Sequence, residues 1–514
     1  MSGLLRHNRY MILAVAMTLS TGAMAQSASL LPELQRLALP VESKRLADFE
    51  PNPSAMFYRD SVSLSTLSFS ADRTEEEKPV MEQLGDGHLL FGLSAASYSR
   101  LGQSSVVWGE AAFTTGSYRD VRWSDCIDYR RIAPYVLGDE AGGDLSTRCY
   151  SFSGGYAKNV GRWSAGVEAG YRAEIAYRNR DPRVKTVVSD LDISLGASYE
   201  VNSGHVIGLD ADLNVYNQNC DLDFYSPVNE INTYTLTGLG TYYRRFMGNT
   251  NKNSGYSSLG YAIGLQFLPI KGERGLSATV KYGHYRMEQQ LRNFNNLTLG
   301  FTDNDLIDFC VGYSAGLSRT LLIRPSIEGM IHRRRGTENL FGTSAGASYD
   351  KIGSRSPYSC DNARFGLSLP LQIAFGRTTY VTLNPNLSFE NETEGYSEPY
   401  RHLQVSHLIP GLKADLSAVS SGIWLWNFAL EGSFAKASAE TPVLTDLETD
   451  TALGQCVLSN YSMLCADRTS LGAMIGISRP VSSFILSLSA SYGFTDYCNE
   501  GVCHCAVVTL SAKF

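Results

Sequence analysis

The chain of 514 residues lacks the features typical of soluble domains and of helical membrane proteins. Charged residues make up only 18%, which is low for a soluble chain. No apolar run of about 18 or more residues occurs after the N-terminus, so no membrane-spanning helix is expected. The formal charge of -7 is spread along the chain without a basic block, which argues against nucleic acid as a partner.

Signatures of catalysis are also missing. The sequence has no G-x-S-x-G, H-E-x-x-H, P-loop or dinucleotide-binding motif, and its eight histidines are scattered. The run Cys503-His504-Cys505 suggests a metal site, but in a strand His504 points away from both thiols. We therefore expect no enzyme, metal or cofactor, although dispersed strands could still assemble an active site.

The N-terminus has the three parts of a secretory signal peptide. A basic stretch, Arg6–Arg9, precedes the apolar run Tyr10–Leu19 and the small-residue site that ends at Ala25. We predict a signal peptide over residues 1–25 with cleavage between Ala25 and Gln26. An uncleaved anchor is the alternative. Residues 26–55 contain four prolines and a weak helical pattern, and they are interpreted as a periplasmic arm or lumen plug, with a simple linker as the alternative.

From residue 56 to residue 514 the chain repeats one pattern, in which apolar and polar residues alternate with the period of a β-strand. The run Trp163–Tyr177 places Trp163, Val167 and Tyr171 on one face and Glu168 and Arg172 on the other. Similar runs recur to the end of the chain. In a soluble sandwich the apolar face is the core, whereas in a porin-type barrel it faces lipid.

Strand length and loop length decide between these two folds. Most runs reach the 9–11 or so residues that a transmembrane strand needs. Tight turns alternate with longer connections, among them Gly336–Asp361 and Ala437–Asp467. Short periplasmic turns and long extracellular loops are typical of outer-membrane barrels. We predict an all-β, antiparallel, up-and-down transmembrane β-barrel of about 18 strands, with 16 as the alternative, and we place Thr233–Phe246 in an outer loop as a hairpin.

The aromatic residues give two further indications. Four tryptophans follow predicted tight turns, as expected at a membrane interface: Trp108, Trp163, Trp424 and Trp426. The last run, Val502–Phe514, alternates and stops on an aromatic residue. It resembles the closing strand of outer-membrane barrels, and that resemblance implies that Phe514 is a signal read by the barrel-assembly machinery.

Ten cysteines, an even number in an exported chain, permit disulfides. The nearest candidate pairs along the sequence are Cys456 with Cys465, Cys498 with Cys503, and Cys126 with Cys149. Sequence alone leaves the connectivity open.

Charges of both signs fall on the face opposite to the apolar one. Inside a wide barrel such charges stay hydrated or pair across strands, whereas at the bilayer midplane an Arg or Lys would cost about 2–4 kcal/mol. The candidate lumen-lining residues are Arg162, Glu168, Arg172, Glu174, Asp210, Asp212, Arg324, Glu328, Arg364, Glu390, Lys413, Asp415 and Glu431, with Asp192 and Glu200 on the same face. They either hold the barrel shape or line a polar pathway. The runs Glu75–Glu77 and Arg333–Arg335 are interpreted as solvated loop features.

Several local motifs resemble an uncharacterised family of Bacteroides-type outer-membrane β-barrel proteins. They are Gly85-Asp86-Gly87, the Trp123 to Tyr135 loop, Gly154-Gly155-Tyr156, the run from Tyr177 to Arg183, and Gly238-Leu239-Gly240. The resemblance implies an outer-membrane location and leaves the activity open. We expect a channel or transport component for polar solutes, with a surface-exposed binding or assembly protein with a plugged lumen as the alternative. Its expected partners are outer-membrane lipid, the assembly machinery and a polar solute.

Overall fold

A computed structural model describes residues 27–226, 231–248, 252–270, 274–345, 348–421, 423–481 and 483–514. Within these residues the dominant feature is one closed, antiparallel barrel of 18 strands, as the sequence predicts. In chain order the strands are β1 Leu64–Glu76, β2 Gly87–Leu101, β3 Ser105–Val121, β4 Gly143–Val160, β5 Trp163–Tyr177, β6 Arg183–Asn202, β7 His205–Asp223, β8 Lys252–Pro269, β9 Gly275–Leu291, β10 Leu297–Gly316, β11 Leu321–Ile323 with Ser326–Ala345, β12 Ser348–Ser368 with Leu371–Phe375, β13 Thr379–Tyr396, β14 Arg401–Ser420, β15 Trp424–Ala439, β16 Arg468–Val481, β17 Phe484–Tyr497 and β18 Gly501–Lys513.

The barrel closes where the first strand pairs with the last. The register of β1 against β18 runs from Thr66 opposite Lys513 to Glu76 opposite Cys503. Beyond the last strand, Phe514 exchanges backbone hydrogen bonds with Ser65, and its ring lies 5.9 Å from that of Phe484. Closure leaves no edge strand in the wall, which is the condition for a sheet to cross lipid.

The two faces of the wall differ as the alternation predicts. Apolar side chains such as Leu195, Leu209 and Leu488 are exposed on the outer face. The alternate positions carry polar and small residues, as at Ser198 and Ser489. Exposure of this apolar belt to water would be unfavourable, so the belt faces the lipid of a membrane. Among the described helices, none is both long and apolar enough to span a bilayer.

One end of the barrel carries tight turns, three of which contain a glycine with positive φ: Gly102, Gly161 and Gly376. The prediction of a long loop at Gly336–Asp361, at the other end of the barrel, is wrong. Both flanking strands continue through it, since the long segments of β11 and β12 run for 20 and 21 residues. That is about twice what a membrane crossing requires. The strands therefore extend beyond the membrane as a hairpin.

The interpretation of Arg333–Arg335 as a solvated loop is wrong for the same reason. All three residues lie in β11, and Arg334 is buried. In contrast, the predicted outer hairpin in Thr233–Phe246 is confirmed. Its strands, Thr233–Gly238 and Thr241–Tyr242, join Val136–Asp139 in a separate small sheet.

The placement of Trp108 at the membrane interface is also wrong. Its ring faces the lumen, where the indole nitrogen donates to Glu168 at 3.0 Å. Trp163, by contrast, is 61% exposed on the outer face. A position after a tight turn therefore does not decide which face of the wall a tryptophan occupies.

Before the barrel, three short helices precede β1: α1 Ser27–Ala38, α2 Pro40–Ala47 and α3 Met56–Arg59. We call residues 27–60 the N-terminal segment. At the other end of the barrel lie α4 Tyr129–Ile132 and α5 Ala452–Leu464. We call residues 122–142, 231–248 and 440–467 the cap.

Candidate functional site: a barrel lumen with a separate element at each end

The N-terminal segment crosses the lumen near the tight turns, because its contacts fall on inward-facing residues of strands all around the barrel. Gln35 donates to the carbonyl of Thr378 at 2.8 Å, after β12. Tyr98 of β2 donates to the carbonyl of Met56 at 2.9 Å. Ser164 of β5 donates to the carbonyl of Ser54 at 2.8 Å.

A patch of three glycines receives the turn Asn52-Pro53-Ser54. Gly166, Gly196 and Gly208 come from the adjacent strands β5, β6 and β7. A Cβ atom would lie 2.4 Å from the Pro53 carbonyl carbon at Gly166, and 2.1 Å from Asn52 Oδ1 at Gly196. Side chains at these positions would therefore occupy the space of the turn. We call these three glycines the glycine seat.

Charged groups hold the segment on the opposite wall. Arg324 lies between the two parts of β11, is 1% exposed, and pairs with Asp48. Lys44 donates to Ser326 at 2.9 Å and lies 3.3 Å from Glu328. Burial raises the pKa of Asp48, against the opposing effect of Arg324.

Small apolar contacts complete the seating of the N-terminal segment. Leu31 and Leu34 pack against Leu425 and Ile485. Phe49, which is fully buried, belongs to a second cluster with residues at the turn end of β7 and β8. These clusters are separate from one another and lie near the rim of the wall.

The cap lies at the other end and is held in a different way, through one larger apolar core. Ile132, Val136 and Leu137 of the cap are buried against inward side chains of the wall. The wall contributes Val184, Val188, Tyr216, Cys220, Leu222, Tyr256 and Met287, from β6 to β9. The helix α5 adds Leu453 and Cys456, which pack on Trp123 and Leu236.

A buried ionic group fastens the cap at the end of β5. Arg178, 5% exposed, pairs with both Asp125 and Asp139. Burial raises the pKa of Asp125 well above its usual range, and the neighbouring Asp139 raises it further, while Arg178 opposes both. A second cap contact comes from Arg334, which donates to the carbonyls of Ala133 at 2.7 Å and Arg130 at 2.8 Å.

Several predicted lumen residues meet in clusters on the wall. Arg172 lies 2.8 Å from Glu174 and also pairs with Asp128 of the cap. Lys281 lies 3.2 Å from Asp210 and also pairs with Asp212. The Arg172 group joins the wall to the cap, and the Lys281 group joins two strands of the wall.

The remaining predicted residues are spread around the wall. Glu390 lies 3.3 Å from Arg364 and 3.1 Å from Arg468. Lys413 stands opposite Glu431 in the register of β14 and β15. Glu168 accepts a hydrogen bond from Trp108, and Asp192 accepts one from Asn214. Arg324 and Glu328 contact the N-terminal segment. Asp415 lines a cavity of about 180 Å³ next to α1 and α2.

Arg162 lies at the turn before β5, away from these clusters. It donates to the carbonyls of Glu200 and Val201, with its guanidinium over the ring of Tyr199. In β18, His504 bonds to Tyr492 at 2.7 Å, while Cys503 and Cys505 line a polar cavity on the inner wall. The predicted cleavage site, Ala25 and Gln26, lies outside the described residues.

A cavity of about 890 Å³ opens between the cap and the outer ends of β11, β13 and β14. Tyr234, Tyr242 and Tyr243 line it together with charged groups of both signs. Glu338, which is 2% exposed, accepts from Arg355 at 3.0 Å and from Tyr396 at 2.6 Å. The volume of this cavity and its mixed polar and apolar lining fall in the range of small-molecule sites.

Sequence reasoning missed the glycine seat, Asp48, and the pairing of Arg178 with Asp125 and Asp139. One signal was available for the seat, because all three glycines lie on the polar side of their alternating runs. Nothing in the spacing of Asp48 or Asp125 indicates their partners, since each meets an arginine that is distant in sequence.

The closed barrel, its outward apolar belt and its polar interior define an outer-membrane β-barrel protein with an obstructed lumen. The chain belongs to a family described as a family of unknown function (DUF6850), whose model matches residues 53–514. That range covers the barrel and the end of the N-terminal segment. No curated protein matches the chain.

Solved structures with a similar fold include outer-membrane proteins of several kinds. A ferric enterobactin receptor (PfeA) mutant from Pseudomonas aeruginosa is 9% identical, with 88% of this chain and 80% of that chain covered and a TM-score of 0.36. The siderophore receptor PiuA from Acinetobacter baumannii is 6% identical, with 87% and 82% covered and a TM-score of 0.40. The CymD monoaromatic hydrocarbon channel is 10% identical, with 91% and 92% covered and a TM-score of 0.31. Likeness at this level does not indicate what this chain carries.

Proposed function

We propose that the protein is a gated transport component that takes a polar solute across the outer membrane, and that residues 27–60 are the movable plug of its lumen. The observation that carries the proposal is the glycine seat, which fits the turn Asn52-Pro53-Ser54 closely. A wall needed only for stability could be filled with its own side chains, as small barrels are. Here the wall leaves room for a separate piece of chain.

The chemistry of the seat supports release. The Ser54 and Ser198 hydroxyls bond to each other, and Ser164 donates to the Ser54 carbonyl. Water can replace such hydrogen bonds, because each contributes only about 0.5–1.5 kcal/mol net. The wall at the seat is polar, with Ser164 and Ser198 facing the turn, and would be hydrated after release.

The outer cavity beside the cap is the proposed entry point for the solute. It combines tyrosine rings with charged groups of both signs, which suits a polar molecule rather than a hydrocarbon. Neither a catalytic step nor a cofactor belongs to this proposal. The predicted signal peptide and the recognition of Phe514 by the assembly machinery remain part of it.

Planar-bilayer recording of the folded protein tests the proposal. The full chain is expected to be closed most of the time, and a variant that lacks residues 27–55 is expected to conduct ions steadily. The second candidate, a surface-exposed binding protein with a permanently plugged lumen, is favoured by the outer cavity alone. It predicts that the full chain never opens and that only the deletion variant conducts.

A further inference from the structure

Two cysteines lie side by side where the cap meets the wall. Cys126 belongs to the cap and Cys220 to β7, and they are 4% and 0% exposed. All ten cysteines lie within the described residues, as thiols. Of the pairs suggested by sequence distance, Cys126 with Cys149 is replaced here, because the neighbour of Cys126 is Cys220.

The contacts around these thiols fix their positions. Cys220 Sγ lies 3.0 Å from the carbonyl oxygen of Asp125, the residue before Cys126. Cys126 Sγ lies 3.5 Å from the Tyr256 hydroxyl, and Cys126, Cys220 and Tyr256 belong to one buried cluster. Neither side chain has room to turn away, because both belong to the apolar core of the cap.

The backbone of the cap is also held in place at this point. The Thr186 hydroxyl donates to the Asp125 carbonyl at 2.9 Å, and the Ile127 amide donates to Gln218 at 2.8 Å. Residues 125–127 therefore run along β6 and β7 in a defined register. Such fixed proximity is the geometric condition for a disulfide.

We propose that Cys126 and Cys220 form a disulfide that fastens the cap to the barrel wall. An outer-membrane protein passes through an oxidising compartment, where disulfides form and persist. The oxidant is a protein disulfide of a thiol oxidoreductase. One cysteine thiolate attacks that disulfide to give a mixed disulfide, and the second cysteine displaces it. The two cysteines lose two protons and two electrons, and the oxidoreductase is released as its dithiol.

This bond would restrict the movement of the cap. It closes a long loop of chain, and closure of long loops restricts the unfolded ensemble most. The segment from Asp125 to Ile127 could then not leave the wall during a transport cycle. Opening at the outer end would be confined to the far side of the cap, where the outer cavity lies.

Peptide mapping tests the bond directly. Free thiols of protein isolated from outer membranes are blocked with N-ethylmaleimide under denaturing conditions without reductant, and the chain is digested with trypsin. Cys126 and Cys220 are the sole cysteines of the tryptic peptides Trp123–Arg130 and Thr186–Arg244. We expect these two peptides to be recovered joined, and to separate after reduction.

Maleimide on Cys126 or Cys220 in the unreduced sample, or a link from either to another cysteine, would overturn the proposal. Two variants sharpen the test. In Cys220→Ser, Cys126 is expected to become fully labelled by maleimide. In the matched control Cys149→Ser, the joined peptides are expected to be recovered unchanged, and their loss would count against the pairing.

Discussion

The N-terminal segment and the cap lie at opposite ends of the same lumen, but they are built differently. The N-terminal segment touches the wall at scattered points, through the glycine seat, an ion pair at Arg324 and small apolar clusters near the rim. The cap shares one continuous apolar core with β6 to β9. An element held by scattered polar contacts can leave and return, whereas removing a shared core would expose the wall to water.

The largest expected effect comes from comparing deletion of the cap with deletion of the N-terminal segment. Replacing residues 123–141 of the cap by a short Gly-Ser turn would expose buried wall residues such as Tyr216 and Leu222. Each such side chain contributes about 1.5–3 kcal/mol when buried, so the barrel should lose most of its folded yield. Deletion of residues 27–55 should cost less of the yield, because it uncovers smaller and separate apolar clusters. Heat-modifiable migration on gels measures both, and equal losses would remove the distinction.

A single substitution in the cap should have the next largest effect. Arg178→Met leaves Asp125 and Asp139 buried without their cation. Breaking a buried ion pair by removing one partner costs about 3–5 kcal/mol. The urea midpoint of the cap, followed by the fluorescence of Trp123, should fall accordingly. Arg162→Met, at an exposed turn, is the control and should change the free energy of unfolding by less than about 1 kcal/mol.

A substitution in the glycine seat should loosen the N-terminal segment without unfolding the barrel. In Gly196→Ala, the new methyl group would lie 2.1 Å from Asn52 Oδ1, so the turn at Asn52 must move away. The variant is expected to show frequent openings in planar bilayers. Gly170→Ala is the matched control, because this inward glycine of β5 has its nearest neighbours at 3.9 Å. Openings in both variants, or in neither, would contradict the role of the seat.

The smallest expected effect is a pH dependence of seating. Burial raises the pKa of Asp48, so the seated segment binds a proton there more readily than the released one. By linkage, this contribution favours seating at low pH and is lost as the pH rises through the raised pKa. The full chain should therefore open less often in acid. Asp48→Asn should lack this part of the pH dependence, and identical pH profiles would show that Asp48 is not involved.

The sequence predicts the fold well, because local patterns of alternating residues and tight turns specify the barrel. Alternation in runs such as Trp163–Tyr177 reports which face meets lipid, and tight turns report where strands end. Its errors arose where the pattern continued past the membrane, as in Gly336–Asp361, or where closeness to a turn does not report the face on which a side chain lies, as at Trp108. Both depend on strand length and register rather than on composition.

The closures of the lumen were less predictable. The charges of the inner wall were found by parity, but their partners were not, because Arg324 meets Asp48 and Arg178 meets Asp125 across long stretches of chain. Such pairs depend on the path of the chain inside the barrel. No spacing rule in the sequence encodes that path.

The central claim is that residues 27–60 must leave their seat for the lumen to conduct. Ser54 and Ser198 lie in hydrogen-bond contact, so a Ser54→Cys, Ser198→Cys variant can lock the segment to β6 with a disulfide. Conductance would be recorded in urea below the unfolding range of the barrel, with the Ser54→Cys single variant as control. The account predicts openings in the reduced double variant and in the control, and silence in the oxidised double variant. Equal conductance before and after oxidation would contradict it.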